Sequence, residues 1–96
     1  MKIKYSNKVK RNLSLETIQE LFLLSCSIAP HPTQHIFTFD KTSKGNICIT
    51  HFILETNFYS QIIFKPTTSR TIPKEPVIIL DYGDCSYIVM SSELQF

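Results

Sequence analysis

Val77-Ile-Ile-Leu-Asp-Tyr-Gly-Asp-Cys-Ser-Tyr-Ile-Val-Met90 decides the fold of this chain. Two short apolar runs, rich in β-branched and aromatic residues, flank a polar turn that holds one of only two glycines. Residues of that kind favour the pleated, half-buried surface of a sheet, and an Asp/Gly turn reverses the chain tightly, so the stretch predicts a β-hairpin. The segments upstream ask for a similar reading. Gln34-His-Ile-Phe-Thr-Phe39 and Ile47-Cys-Ile-Thr-His-Phe-Ile-Leu54 enclose Lys41-Thr-Ser-Lys-Gly-Asn46, where Gly45 and Asn46 tolerate positive φ, and a second hairpin is expected there. Glu55-Thr-Asn57 makes another turn before a third strand, Phe58 to Lys65. Pro66 through Pro76 contains three prolines and is read as a loop, one that carries Arg70.

Only one segment changes period. Leu15, Ile18, Leu21, Phe22, Ser25 and Ile28 recur at helical spacing, with Glu16, Thr17 and Gln19 mostly on the other side. Asn12 or Ser14 can cap the first turn, and Pro30 and Pro32 stop the helix because neither can donate the next backbone bond. The expected fold is therefore α+β, one N-terminal helix of about four turns packed on a mostly antiparallel sheet of four to six strands. With 96 residues the chain forms one domain, residues 1–96. Strands apolar on both faces exceed what one helix covers, so a homodimer is expected, with Phe52, Leu54, Phe58, Ile62, Ile63 and Phe64 supplying the surplus area.

Charge divides the chain unevenly. Lys2, Lys4, Lys8, Lys10 and Arg11 are five of ten basic residues, and no acid precedes Glu16. Residues 12–96 carry five basic against eight acidic side chains, so residues 1–11 read as a basic arm or edge strand on a mildly acidic body. No apolar run approaches the ~18 residues that cross a bilayer. The lysine-rich start lacks the apolar core of a signal peptide, so a cytoplasmic location is expected. Three cysteines cannot all pair, and each lies in or beside an apolar segment, as free thiols in a reducing compartment do.

No motif demands a particular chemistry. Cys26, His31 and His35 precede Cys48-Ile-Thr-His51, a set that zinc would use only if four ligands converged. Side chains alternate along a strand, so Cys48 and His51 point to opposite faces, and neither a metal nor a cofactor is assigned. Cys85 stands beside Asp81 and Asp84, whose charges disfavour a thiolate, so no nucleophile is assigned. Two distant glycines cannot form a phosphate-cradling loop.

The order of segments resembles a small family catalogued as domain of unknown function 960, found in low-GC Gram-positive bacteria and their phages. Three pieces carry the likeness: Leu13-Ser-Leu-Glu-Thr-Ile-Gln-Glu-Leu-Phe-Leu-Leu24, Gln34-His-Ile-Phe-Thr-Phe39, and the ending from Ile79 to Leu94 with its aspartate-glycine turn and terminal glutamate. The resemblance implies a fold and a phage or mobile-element setting, without a reaction. It leads to a non-enzymatic, protein-binding accessory factor, in its sharpest form an anti-CRISPR-like inhibitor of a host defence nuclease. The expected partner surface is Asp81, Tyr82 and Asp84 at the hairpin turn, with Arg70 in the Pro66–Pro76 loop. The alternative is nucleic-acid binding through Lys2, Lys4, Lys8, Lys10 and Arg11.

Overall fold

The computed structural model describes residues 2–27, 34–53, 56–65 and 72–94. Among the described residues, six strands form one sheet: β1 (Lys2–Tyr5), β2 (Gln34–Lys41), β3 (Ile47–Ile53), β4 (Tyr59–Phe64), β5 (Val77–Asp81) and β6 (Cys85–Met90). Their spatial order is β1-β6-β5-β2-β3-β4, antiparallel throughout except that β1 lies parallel to β6. Two helices, α1 (Asn7–Asn12) and α2 (Leu15–Cys26), join β1 to the rest, and a short 3-10 helix, Ser91–Glu93, comes after β6. The α+β architecture read from the sequence is the observed one, with six strands.

Alternation sorts the side chains. Register sets Ile88 of β6, Ile79 of β5 and His35 of β2 in one row, and Met90, Val77, Phe37 and His51 in the next. These face the helices, where Val9 of α1, Leu13 just after it, and Ile18 and Leu21 of α2 complete the core. Each aliphatic side chain buried there contributes about 1.5–3 kcal/mol relative to exposure. The opposite face carries another row, Val89, Ile78, Ile36, Phe52 and Tyr59, one residue from each of five adjacent strands. The excess apolar area expected from the sequence is shared between the faces: Ile62 and Phe64 pack on the core, whereas Ile63 and Tyr59 are exposed. Leu54 lies outside the described residues.

Two local readings change. Residues 1–11 are not a single arm or strand, because β1 ends at Tyr5 and Lys8, Lys10 and Arg11 belong to α1. Ser6 caps that helix by accepting a hydrogen bond from the Val9 amide, Val9 is fully buried, and the basic residues of its last turn complement the helix dipole. A six-residue helix with one apolar anchor offers no periodicity to read. In α2, Ser14 is the cap, its hydroxyl accepting from the Thr17 amide. The buried stripe is Thr17, Ile18, Leu21 and Ser25, so Leu15, expected inside, is instead 60% exposed.

The C-terminal part of the proline-rich loop is anchored. Ile72 packs on the core, Pro73 is buried, and the Glu75 carboxylate accepts from the Ser91 hydroxyl and the Ser92 amide while pairing with Lys8 at 3.3 Å. Glu93 performs a similar service at the other end of the 3-10 turn. Its Oε1 accepts from the Ser6 hydroxyl and from the Met90 amide.

Candidate functional site

The β5–β6 turn is built by its own residues. Asp81 Oδ1 accepts from the Gly83 amide at 2.8 Å, and the Tyr82 amide donates to the Cys85 carbonyl. Gly83 has φ +93°, a conformation that a Cβ would strain. Asp81 is therefore a turn-forming residue, half-buried beneath the tip, while Tyr82 and Asp84 are exposed.

Tyr82 is 63% exposed and meets Tyr87 of β6 edge-on, with ring centroids 6.3 Å apart. Register pairs Tyr87 with Lys4 of β1, and the Lys4 ammonium sits 5.7 Å from the Tyr87 ring centroid. An aromatic face attracts a cation at that range. The structure thus brings members of both sequence-read surfaces to one end of the sheet: Tyr82 and Asp84 from the acidic turn, and Lys4 from the basic segment. Parallel pairing of β1 with β6 causes the meeting, because β6 leaves the turn just where β1 begins. Tyr87 was missed from sequence; its alternation with the core residues Ser86 and Ile88 was the available signal.

The remaining basic residues disperse. Lys8 hydrogen-bonds Ser92 and pairs with Glu75. Lys10 stands over Tyr5, 5.8 Å from its ring centroid, and Arg11 is exposed near the end of α1. Lys2 begins β1. Arg70 and the adjoining part of the Pro66–Pro76 loop lie outside the described residues, as does His31.

The histidines and cysteines resolve differently from one another. Cys26 is exposed at the end of α2, and Cys48 and His51 fall on opposite faces of β3. His35 and His51, however, share the core face, joined by an Nδ1 to Nε2 hydrogen bond of 2.9 Å. Phe37 stacks on His51 with centroids 4.4 Å apart, and Phe58 closes edge-on at 5.1 Å. Burial, then the neighbouring His35, pushes the His51 pKa down to about 4. Among the described residues, no group of three or more His, Cys, Asp and Glu side chains converges as a metal site would require.

No family model and no curated protein matches the chain. The fold is similar to a crystal structure of a protein of unknown function from Enterococcus faecalis, with a TM-score of 0.83 and 15% sequence identity over 99% of this chain and 92% of that one. At that identity the likeness carries architecture alone. No helix among the described residues is long and apolar enough to cross a membrane.

Proposed function

We propose that the chain is a non-enzymatic, protein-binding accessory factor whose contact surface is the sheet end bearing Tyr82, Asp84, Tyr87 and Lys4. The observation that supports it is the exposed Tyr82–Tyr87 pair, held on a two-stranded turn with Lys4 over one ring. Tyrosines fixed by a rigid scaffold present large amphipathic area at small ordering cost, which is why they concentrate binding energy at interfaces. Asp84 and Lys4 add charges of both signs beside the rings, suited to selecting a partner more than to strengthening its hold.

The sharper form, a phage-encoded inhibitor of a host defence nuclease, draws on the family resemblance of residues 13–24, 34–39 and 79–94 and on the acid excess beyond the basic segment. Affinity purification from a bacterial lysate tests the surface. A host protein retained by the native chain is expected to be lost with Tyr82→Ala combined with Asp84→Ala, substitutions that leave the Asp81–Gly83 bond in place. Undiminished capture removes this surface.

The alternative, nucleic-acid binding, is favoured by the two cation–ring pairs, Lys4 with Tyr87 and Lys10 with Tyr5. Filter binding of single-stranded DNA across a salt series separates the two, because phosphate contacts weaken steeply as salt rises. Absence of binding at low salt eliminates the nucleic-acid reading. Self-association belongs to the same proposal, through the row from Val89 to Tyr59 on the sheet face opposite the helices. A sedimentation series that stays monomeric removes it.

A further inference from the structure

Between β1 and α2 lies a mostly apolar groove of about 350 Å³, lined by Ile3 and Tyr5 from the strand and by Leu15, Ile18, Gln19, Phe22 and Leu23 from the helix. Leu15 and Leu23 are 60% and 64% exposed, and both belong to a flank of α2 that the core does not use. Among the described residues, β1 is the end strand of the sheet, paired on one side only, with β6. Its outer side therefore offers backbone donors and acceptors in a row directly beside the groove.

An extended chain laid along such an edge directs alternate side chains to opposite faces of the sheet. One set would drop into the groove between Ile3, Tyr5 and α2. The other would emerge beside Lys4, on the Tyr87 face. Lys10 stands against Tyr5, so a second cation borders the groove itself. Helical spacing puts the acids of α2, Glu16 and Glu20, on the rows beyond Leu23, farther from the strand.

We infer that the β1 edge and its groove take up an extended segment of a partner protein, in which apolar and acidic residues alternate, as a seventh strand. The inference rests on the reading of the chain as a protein-binding module and names the chemistry of its partner. A second copy of the chain is the wrong occupant for this edge. Antiparallel pairing of two β1 strands with their helices on one side sets lysine positions opposite lysine positions, and like charges directly opposed across a ladder are destabilising. The same lysines welcome an acidic strand.

The test uses the full chain and synthetic peptides of about nine residues, long enough to cover a typical strand. One alternates Glu with Val or Leu, one replaces every Glu by Lys, and one keeps Glu but carries a central Pro, which removes a ladder donor. Binding of the acidic peptide alone is expected, with NMR amide shifts concentrated at Ile3, Lys4 and Tyr5. Leu15→Lys and Leu23→Lys alter exposed positions, so an unchanged far-UV circular dichroism spectrum confirms folding, and each is expected to weaken binding about tenfold or more. No binding of the acidic peptide, equal binding of either control, or indifference to both leucine variants overturns the inference. Concentration-dependent shifts of the same β1 amides without peptide would show a second copy there and overturn it too. Capture of a host protein that needs Tyr82 but ignores Leu23→Lys leaves the accessory-factor reading standing and removes strand addition.

Discussion

His35 Nδ1 and His51 Nε2 share one hydrogen bond, 2.9 Å long, inside the core face of two adjacent strands. One imidazole must donate and the other accept, so the two facing nitrogens hold a single proton between them. A second proton would set two N–H groups against each other in a space walled by Phe37 and Phe58. The shared bond holds while the pair is neutral and is opposed when the pair charges.

Stability is accordingly expected to fall in mild acid. The His51 pKa is about 4 in the fold against 6.5 ordinarily, so the unfolded chain takes up the proton first. The contribution is complete above about pH 6.5 and is lost progressively toward pH 4, reaching on the order of 2–3 kcal/mol. Urea unfolding measured at pH 7, 6, 5 and 4 checks this. His51→Phe gives up the bond to His35 and should flatten the part of the slope that His51 supplies. An unchanged slope in that variant assigns the pH dependence elsewhere.

A second acid transition lies lower and has a different origin. The Ser92 amide and hydroxyl, and then Lys8, hold the Glu75 carboxyl at about 2, against 4.5 ordinarily. Its folded value is depressed, so its contribution is present above about pH 4.5 and lost as pH falls toward 2. Glu75→Gln is expected to remove this step while leaving the His51 step intact. Acid titration of both variants, followed by circular dichroism, separates them. Coincident loss of both steps would mean that the loop and the sheet unfold as one unit.

The hairpin tip makes a conformational prediction. Gly83 has φ +93°, and a Cβ added there meets nothing within 4 Å, so the cost of Gly83→Ala is backbone strain without collision. About 1–2 kcal/mol is expected. Asp81→Ala removes the acceptor of the Gly83 amide at the same turn, and the two effects should fall short of additive because they act on one bend. Thermal unfolding of the single and double variants measures it.

The strands and α2 were legible because each repeats a pattern: two-residue alternation in Gln34 to Phe39, helical spacing from Leu15 to Ser25, and turn residues at Gly45 and Gly83. Elements held by contacts distant in sequence were not legible. α1 depends on the Ser6 cap and on one side chain, Val9, and Ser6 is itself tied to Glu93 across the whole length of the chain. The candidate site divides in the same way. Tyr82 and Asp84 announce a turn locally, but their neighbours Tyr87 and Lys4 depend on parallel pairing of the first strand with the last, which no local pattern encodes. The histidine pair was readable in principle. His35 alternates with Phe37 and Phe39, and His51 with Ile49 and Ile53, so period 2 alone assigns both to the core face.

Two leucines in α2, separated by a single residue, should behave oppositely when truncated. Leu21 is fully buried among the core side chains, whereas Leu23 is 64% exposed on the groove flank. Leu21→Ala opens a cavity that the surrounding sheet only partly fills, and a loss of about 2–5 kcal/mol is expected. Leu23→Ala removes little that folding had buried, so its effect should stay within about 0.5 kcal/mol. Chemical denaturation of the two variants at neutral pH compares them directly. Equal losses would show that Leu23 is covered in the folded chain in solution, and the groove beside β1 would then be closed to any partner. The predicted difference therefore ties the stability of the helix to the availability of its second face, the side that a binding partner can still reach after the core is complete.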